Sequence, residues 1–493
     1  MKKIARITSL FLALIMVVAL LASCGGETNP GTPGQSGTDT TKAPETTAAP
    51  DAEVRIDPNL PDVRYDGYTY RIRVKGEATN WSTIGIWADT KTGEPINDAT
   101  LERNNAIKDK YGVDIVTIEG ADIANSVNQM VLSQLDEIDL VIAPVNSIAS
   151  MAPKSVYDLK QLKYLDLEKP WYDQNFNKEV SIGGRLYAVT GDLVLNDDNG
   201  TWCTLFNKRI AEDYEVENLY KLVESGGWTL DKAYEIAKPV TVELTGDDIR
   251  NYDDQWGFVT EVYNAYAMVA STGEKIASKD ENDMPYLTAN TEKFQNVLTK
   301  AVDILGDNSV VALTQDWSGD TNYVNPFKVG RGLFVIAGLY DLGQVREVDD
   351  EIGVLPMPKY EESQEVSLNP ITVYNFTMCL IPITVGDADR TAILTEAMFA
   401  ESRYTTRVAF YETTLKKKYM PDEESKRILD TVIENRTYDL GAIYGWGGIV
   451  TRLNSLMQTR SSNFSSTWKS LERVAKKAME TTMKDFEKAE NAG

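Results

Sequence analysis

Between Tyr70 and Ala143 the chain switches back and forth between two periodicities, and this alternation restricts its fold more than any other feature. "YRIRVK" (70–75) alternates with period two, as a half-buried strand requires. A helical stretch follows, with Asp98 as its expected N-cap and Gly112 as its stop, before the strand "VDIVTI" (113–118). Ile123, Val127, Met130 and Val131 then share one helical face, and "IDLVIA" (138–143) reads as a short apolar strand. Strand, helix, strand, helix, strand predicts an α/β fold, a parallel sheet covered by helices.

Later segments repeat the theme. "RLYAVTG", "WCTLFN", "GLFVIAG", "IGVLPMP" and "FTMCLIP" read as short strands near turn signals. Phe294, Val297, Leu298, Ala301, Ile304 and Leu305 form a helical stripe between a Thr291 cap and Gly306, and Asp387 caps "ADRTAILTEAMF". Ile428, Leu429, Val432 and Ile433 mark another helix, and Trp468, Leu471, Ala475, Ala478, Met479, Met483 and Phe486 line one side of the last. All these stripes are expected to be core. The stretch beyond Val63, roughly 430 residues, exceeds what one core usually supports and predicts two lobes.

The N-terminus has a different character. Lys2, Lys3 and Arg6 precede an apolar run from Leu10 to Ala22, shorter than the roughly 20 residues of a membrane-spanning helix and suited to a secretory signal over 1–23. Residues 24–62 are rich in Gly, Thr, Ser, Pro and Ala without one aromatic, which predicts a flexible linker. Leu21-Ala22-Ser23-Cys24 resembles the lipobox of bacterial lipoproteins, a likeness that implies cleavage before Cys24 and its lipidation.

Composition removes whole classes of chemistry. The 493 residues contain no histidine, which excludes Ser-His-Asp and Cys-His catalysis and His-ligated zinc. No phosphate-binding G-x-x-x-x-G-K-[ST] run exists, and "GWGGIV" (445–450) lacks dinucleotide-binding spacing, so no nucleotide chemistry and no cofactor is expected. Glycoside hydrolysis needs only two carboxylates and survives this filter, although 74 acidic residues neither support nor exclude a pair. "NDDNG" (196–200) lacks the full spacing of a calcium loop and reads as a solvated turn, with no metal expected. A net charge of −24 opposes binding to nucleic acid or anionic lipid. Cys203 and Cys379 lie in apolar strand-like runs and are expected as buried thiols.

Six segments in order, across about 63–411, resemble the extracellular solute-binding proteins of ABC importers, in the carbohydrate-type family that includes the maltose-binding protein. They are "IDLVIAPVNSIASM", "IGGRLYAVTGD", "WCTLFNKRIAEDY", "GGWTLDKAYEIAK" with Thr229 as a cap, "FKVGRGLFVIAGLYD", and "IGVLPMPKY" as the strand re-entering the first lobe. Two departures stand out: Tyr340 replaces the family's Trp, and the loop from Leu193 to Gly200 is longer and more acidic. The resemblance implies a periplasmic-binding-protein-like fold of two α/β lobes, each a sheet covered by helices, joined by a hinge of three crossing segments. The first lobe is placed at 63–195 and 349–410, the second at 196–348 and 411–493.

Sugars offer apolar faces flanked by hydroxyls, so their sites pair aromatic platforms with planar polar groups. Family position implies Asn80, Trp81, Asn146 and Ser147 from first-lobe loops, Asp192 and Trp202 by the first hinge, and Tyr340, Tyr444 and Trp446 as platforms or rim contacts. Trp171, Trp228 and Trp468 are assigned to packing, and for Trp87, Trp202 and Trp256 packing competes with a platform role. The expectation is an exported, non-enzymatic monomer, held at the membrane by its lipid, that passes a carbohydrate to ABC permease subunits and binds no nucleic acid. The alternatives are a glycan-degrading lipoprotein with a carboxylate pair and a surface adhesion or signalling module without a transport partner.

Overall fold

Two sheets organise the unit Arg55–Gly493. The computed structural model describes residues 54–76, 84–247, 249–317, 322–345, 348, 350–374, 376–420 and 422–492. In the first sheet Tyr68–Val74 pairs in parallel with Val113–Glu119 on one side and Leu140–Pro144 on the other. Thr377–Leu380 adds an antiparallel edge beside Leu140–Pro144. The helices Pro95–Tyr111 and Ile123–Leu132 make the connections, as the alternating pattern predicts. Asp98 does not cap the first of them. Pro95 starts the helix earlier, and the Asp98 carboxylate reaches back to accept the Thr92 and Gly93 N–H groups.

Gly112 does end that helix, at φ 72° and with its N–H bonded to the Lys108 carbonyl. A Cβ at Gly112 would lie 2.2 Å from Asp66 Oδ1. Gly112→Ala is therefore expected to destabilise the chain by about 1–2 kcal/mol, read as a lower midpoint in urea at unchanged slope.

The second sheet has the order Ile352–Leu355, Trp202–Asn207, Gly332–Gly338, Trp256–Thr260, Val311–Leu313. The last three run parallel to one another, and Trp202–Asn207 is antiparallel to both of its neighbours. Placing Ile352–Leu355 here corrects the expectation that this strand re-enters the first lobe: it pairs with Trp202–Asn207, and the chain returns to the first sheet only at Thr377–Leu380. "RLYAVTG" forms only isolated bridges, among them Val189 with Cys379. Thr229, Thr291 and Asp387 cap their helices as expected, and Cys203 and Cys379 are free, buried thiols. The end of the expected linker is not loose. Ile56 N donates to Tyr404 Oη at 2.8 Å, and Arg55 pairs with Glu401 on the first lobe.

Where segments cross between the sheets, they are stitched together. Thr201 bridges Ile371, and Asn369–Pro370 pairs with Arg436–Thr437. Beneath them lies an ionic lattice. Arg436 contacts Asp173 at 2.5 Å, Asp198 at 2.7 Å and Asp197 at 3.6 Å, while Arg407 contacts Asp198 at 2.7 Å and Asp192 at 3.3 Å. Arg403 adds a second contact to Asp192 at 3.2 Å. "NDDNG" is thus no solvated turn: Asn196–Asn199 is a short helix with Asp197 and Asp198 buried as counter-ions. Four carboxylates face three guanidiniums, and burial pushes Asp192 up to about 6 and Asp197 well above its ordinary value despite the nearby cations.

The final helix, Phe464–Ala492, reaches from the neighbourhood of Phe294 to that of Lys154 and Arg185. Phe464 stacks on Phe294 at 5.3 Å, whereas Asp485 pairs with Lys154 at 2.7 Å and the Phe486 carbonyl accepts from Arg185 at 3.0 Å. Among the described residues no helix is long and apolar enough to cross a membrane.

Candidate functional site

The carboxyl ends of the parallel strands in both sheets supply one common edge, the position where open α/β sheets present ligand crevices. From the second sheet, Trp256–Thr260 runs into Glu261 and Tyr263, and Gly332–Gly338 into Tyr340 and Asp341. Trp202 begins its antiparallel strand opposite Gly338, which brings it to the same edge. From the first sheet, Leu140–Pro144 leads to Asn146, and Thr377, opposite Pro144, follows Tyr374 in the chain.

These positions assemble a run of rings. The Tyr340 and Tyr323 hydroxyls lie 2.7 Å apart, and Tyr323 also donates to Asp341 Oδ2 at 2.8 Å. Tyr323 stacks on Trp202 at 6.1 Å, Trp202 packs on Tyr263 at 5.3 Å, and Tyr263 meets Tyr374 edge-on at 5.6 Å. Trp202 Nε1 is buried without a hydrogen-bond partner among the described residues.

A cavity lies at each end of the run. The first, about 260 Å³, is lined by Ile84, Ile96, Asn196, Asn199, Tyr340 and Phe410 among others. The second, about 210 Å³, is bounded by Asn146, Tyr374, Tyr444, Gly445, Gly448 and the start of the helix Ile449–Gln458. Among the described residues, neither lining includes a charged side chain.

The expected site residues therefore separate. Tyr340, Asn146 and Tyr444 line the cavities, and Trp202 is the centre of the ring run although only 3 % exposed. Ser147 follows Asn146 but lines neither cavity. Asp192 lies in the ionic lattice, where Arg403 and Arg407 take up its carboxylate, and it lines neither cavity. Trp446 is corrected to packing: it is 2 % exposed, stacks on Tyr444 at 5.4 Å and donates Nε1 to Thr482. Asn80 and Trp81 lie outside the described residues. Trp171, Trp228, Trp468 and Trp256 are buried, whereas Trp87 is 49 % exposed. Tyr263, Tyr323, Tyr374, Glu261 and Asp341 were not anticipated, although Glu261 and Tyr263 directly follow the apolar run "WGFVT".

Burial raises both carboxyls of this wall. Glu261 is half-buried and pushed up to about 7, with a backbone hydrogen bond from Tyr263 pulling the other way. Asp341 is also pushed up to about 7 by burial, against hydrogen bonds from Tyr323 and Gly338. The folded chain therefore keeps protons that the unfolded chain releases near its ordinary values of 4.5 and 3.8. The stability these groups contribute is complete below that range and is lost as pH rises to about 7. Glu261→Gln is expected to show a smaller fall in thermal midpoint between about pH 5 and pH 8 than the natural chain.

No protein-family model matches the chain, and no curated protein matches it. Solved structures do. A cyclo/maltodextrin-binding protein complexed with maltotetraose aligns at TM-score 0.56 and 14 % identity, over 84 % of this chain and 97 % of that one. The ABC substrate-binding protein Lmo0181 from Listeria monocytogenes, in complex with cycloalternan, aligns at 0.51 and 13 %, over 87 % and 100 %. The chain has the fold of two-lobed solute-binding proteins. UgpB from Mycobacterium tuberculosis, in complex with glycerophosphocholine, aligns at 0.53 and 13 %, over 86 % and 100 %. One fold thus serves chemically different ligands, and the choice of ligand rests with the side chains of the cleft.

Proposed function

We propose that this chain is an exported, lipid-anchored receptor that captures a carbohydrate, an oligosaccharide, between its lobes and delivers it to the permease subunits of an ABC importer. The observation that carries this reading is the ring run Tyr340, Tyr323, Trp202, Tyr263 and Tyr374, which joins two uncharged cavities along the carboxyl ends of the strands. Aromatic faces suit the apolar faces of sugar rings, and asparagine and tyrosine polar groups suit their hydroxyls. A ligand held by side chains from both sheets stabilises the closed arrangement by its differential contacts, which supplies the free energy for a hinge motion. The sugar complexes of similarly folded proteins agree with a carbohydrate ligand. The anchor rests on Cys24 and the apolar run before it.

A thermal-shift and calorimetric screen tests the ligand. Neutral oligosaccharides are expected to raise the melting temperature, with about 2.7 kcal/mol of added stability at a hundred times Kd. Glycerophosphodiesters, peptides and polyamines serve as competing classes, and binding confined to one of them would sink the carbohydrate assignment. Chromogenic glycosides are expected to remain unhydrolysed. For the anchor, Cys24→Ala should move the chain from the detergent phase to the aqueous phase in a partitioning assay, and an unchanged distribution would argue against lipidation.

A further inference from the structure

We infer, resting on the reading of the cleft as a glycan site, that the first cavity reads a hydrogen-bond donor and so selects a sugar hydroxyl over a fluoro, O-methyl or carbonyl group in its place. The selecting group is the Tyr340 hydroxyl, whose own proton is committed elsewhere by a chain of hydrogen bonds that starts at Lys328. The strand Gly332–Gly338 ends in the turn Leu339–Asp341 and the short helix Leu342–Val345, which set Tyr340, Asp341 and Gln344 close together. Lys328 closes the helical turn Asn325–Lys328 and reaches Gln344.

Proton supply fixes the direction of every bond in this chain. An ammonium only donates, so Lys328 Nζ, 3.1 Å from Gln344 Oε1, orients the Gln344 amide with its Nε2 toward Asp341 Oδ1 at 2.6 Å. The other carboxylate oxygen accepts the Gly338 N–H at 3.1 Å and the Tyr323 hydroxyl at 2.8 Å. At pH 8, above the value of about 7 to which burial pushes it, Asp341 is ionised and can only accept. Tyr323 has one proton and gives it to Asp341, so in the 2.7 Å contact between the two tyrosines Tyr340 must donate. Tyr340 then keeps lone pairs, and no proton, for a ligand. It lines the cavity beside Ile84, Ile96 and Phe410, whose side chains offer a mismatched ligand group no substitute partner. Asn196 lines the same cavity, 3 % exposed and with its Oδ1 unpartnered among the described residues, which adds unused acceptor capacity.

Titration calorimetry on the mature chain at pH 8 provides the test. The probes are the neutral oligosaccharide with the largest shift in the thermal screen and its singly deoxyfluorinated and singly aminodeoxy analogues: fluorine takes the place of a hydroxyl without donating, whereas an amino group still donates. At the position that meets Tyr340, the fluoro analogue is expected to bind at least about tenfold more weakly than the parent sugar, and the amino analogue within about threefold of it. Tyr340→Phe identifies that position, because removing the acceptor closes the gap between parent and fluoro analogue there. Tyr323→Phe keeps the ring and frees the Tyr340 proton to turn toward the fluorine, so the same gap should narrow to about threefold or less. A gap that closes at no position in Tyr340→Phe, or that persists in Tyr323→Phe, would overturn the donor readout alone, as would an amino analogue that loses as much as the fluoro one. Absence of binding by every glycan would overturn the carbohydrate reading and the readout with it. Should a variant fail to fold, the comparison of fluoro and amino analogues on the natural chain decides.

Discussion

Arg436→Met is expected to lower the stability of the chain by about 3–5 kcal/mol. Arg436 is the common partner of Asp173, Asp197 and Asp198, all buried. Removing it leaves Asp173 and Asp197 without an ion-pair partner among the described residues, while Asp198 keeps only Arg407, which also serves Asp192. Methionine fills most of the arginine volume, so the effect reads charge loss rather than a hole. Chemical denaturation at pH 7 and at pH 5 provides the check. The loss should shrink at pH 5, because stranded carboxylates can then take up protons. Arg436→Lys is expected to fall between, since one ammonium cannot reproduce a fork that reaches Asp173 and Asp198 together. Equal stability of Arg436→Met and the natural chain would mean that the lattice contributes nothing.

The second large effect is expected at Trp202. Trp202→Ala removes the ring between Tyr263 and Tyr323 and should destabilise the fold by about 3–5 kcal/mol, as for other buried tryptophans. It should also weaken glycan binding by at least about tenfold, because Tyr263 and Tyr323 lose the surface that fixes their rings. Trp202→Phe separates the two effects: it keeps an apolar ring and most of the stability while it removes the orphaned Nε1 donor. If Trp202→Ala folded and bound glycan like the natural chain, the ring run would not be the binding wall.

Much of this architecture could be read from local pattern, because local pattern is what determines it. The βαβαβ opening, the Thr229, Thr291 and Asp387 caps and the Gly112 stop each depend on residues a few positions apart. The misreadings share the opposite property. "NDDNG" looked solvated because its counter-ion Arg436 lies 238 positions from Asp198 in the chain. Ile352–Leu355 looks the same whichever sheet it joins, and only pairing with Trp202–Asn207 decides. Trp446 satisfied the pattern for a platform, but its Nε1 partner Thr482 comes from the last helix. Residue type pointed to Tyr340, Asn146 and Tyr444, which line the two cavities, while Tyr263 and Tyr323 come together around Trp202 only where separate strand ends meet.

If the lobes move about a hinge as proposed, the last helix gives that motion a mechanical boundary. Near Phe464 it is fastened to the second lobe and near Asp485 and Phe486 to the first, so it lies across the joint like a splint. Swinging the lobes apart must flex this rod or slide its far end over Lys154 and Arg185, which sets a stop on the travel that the stitched crossing segments alone would not impose. Trimming the chain before Asp485 would therefore lengthen the stroke while leaving every residue of the cleft in place.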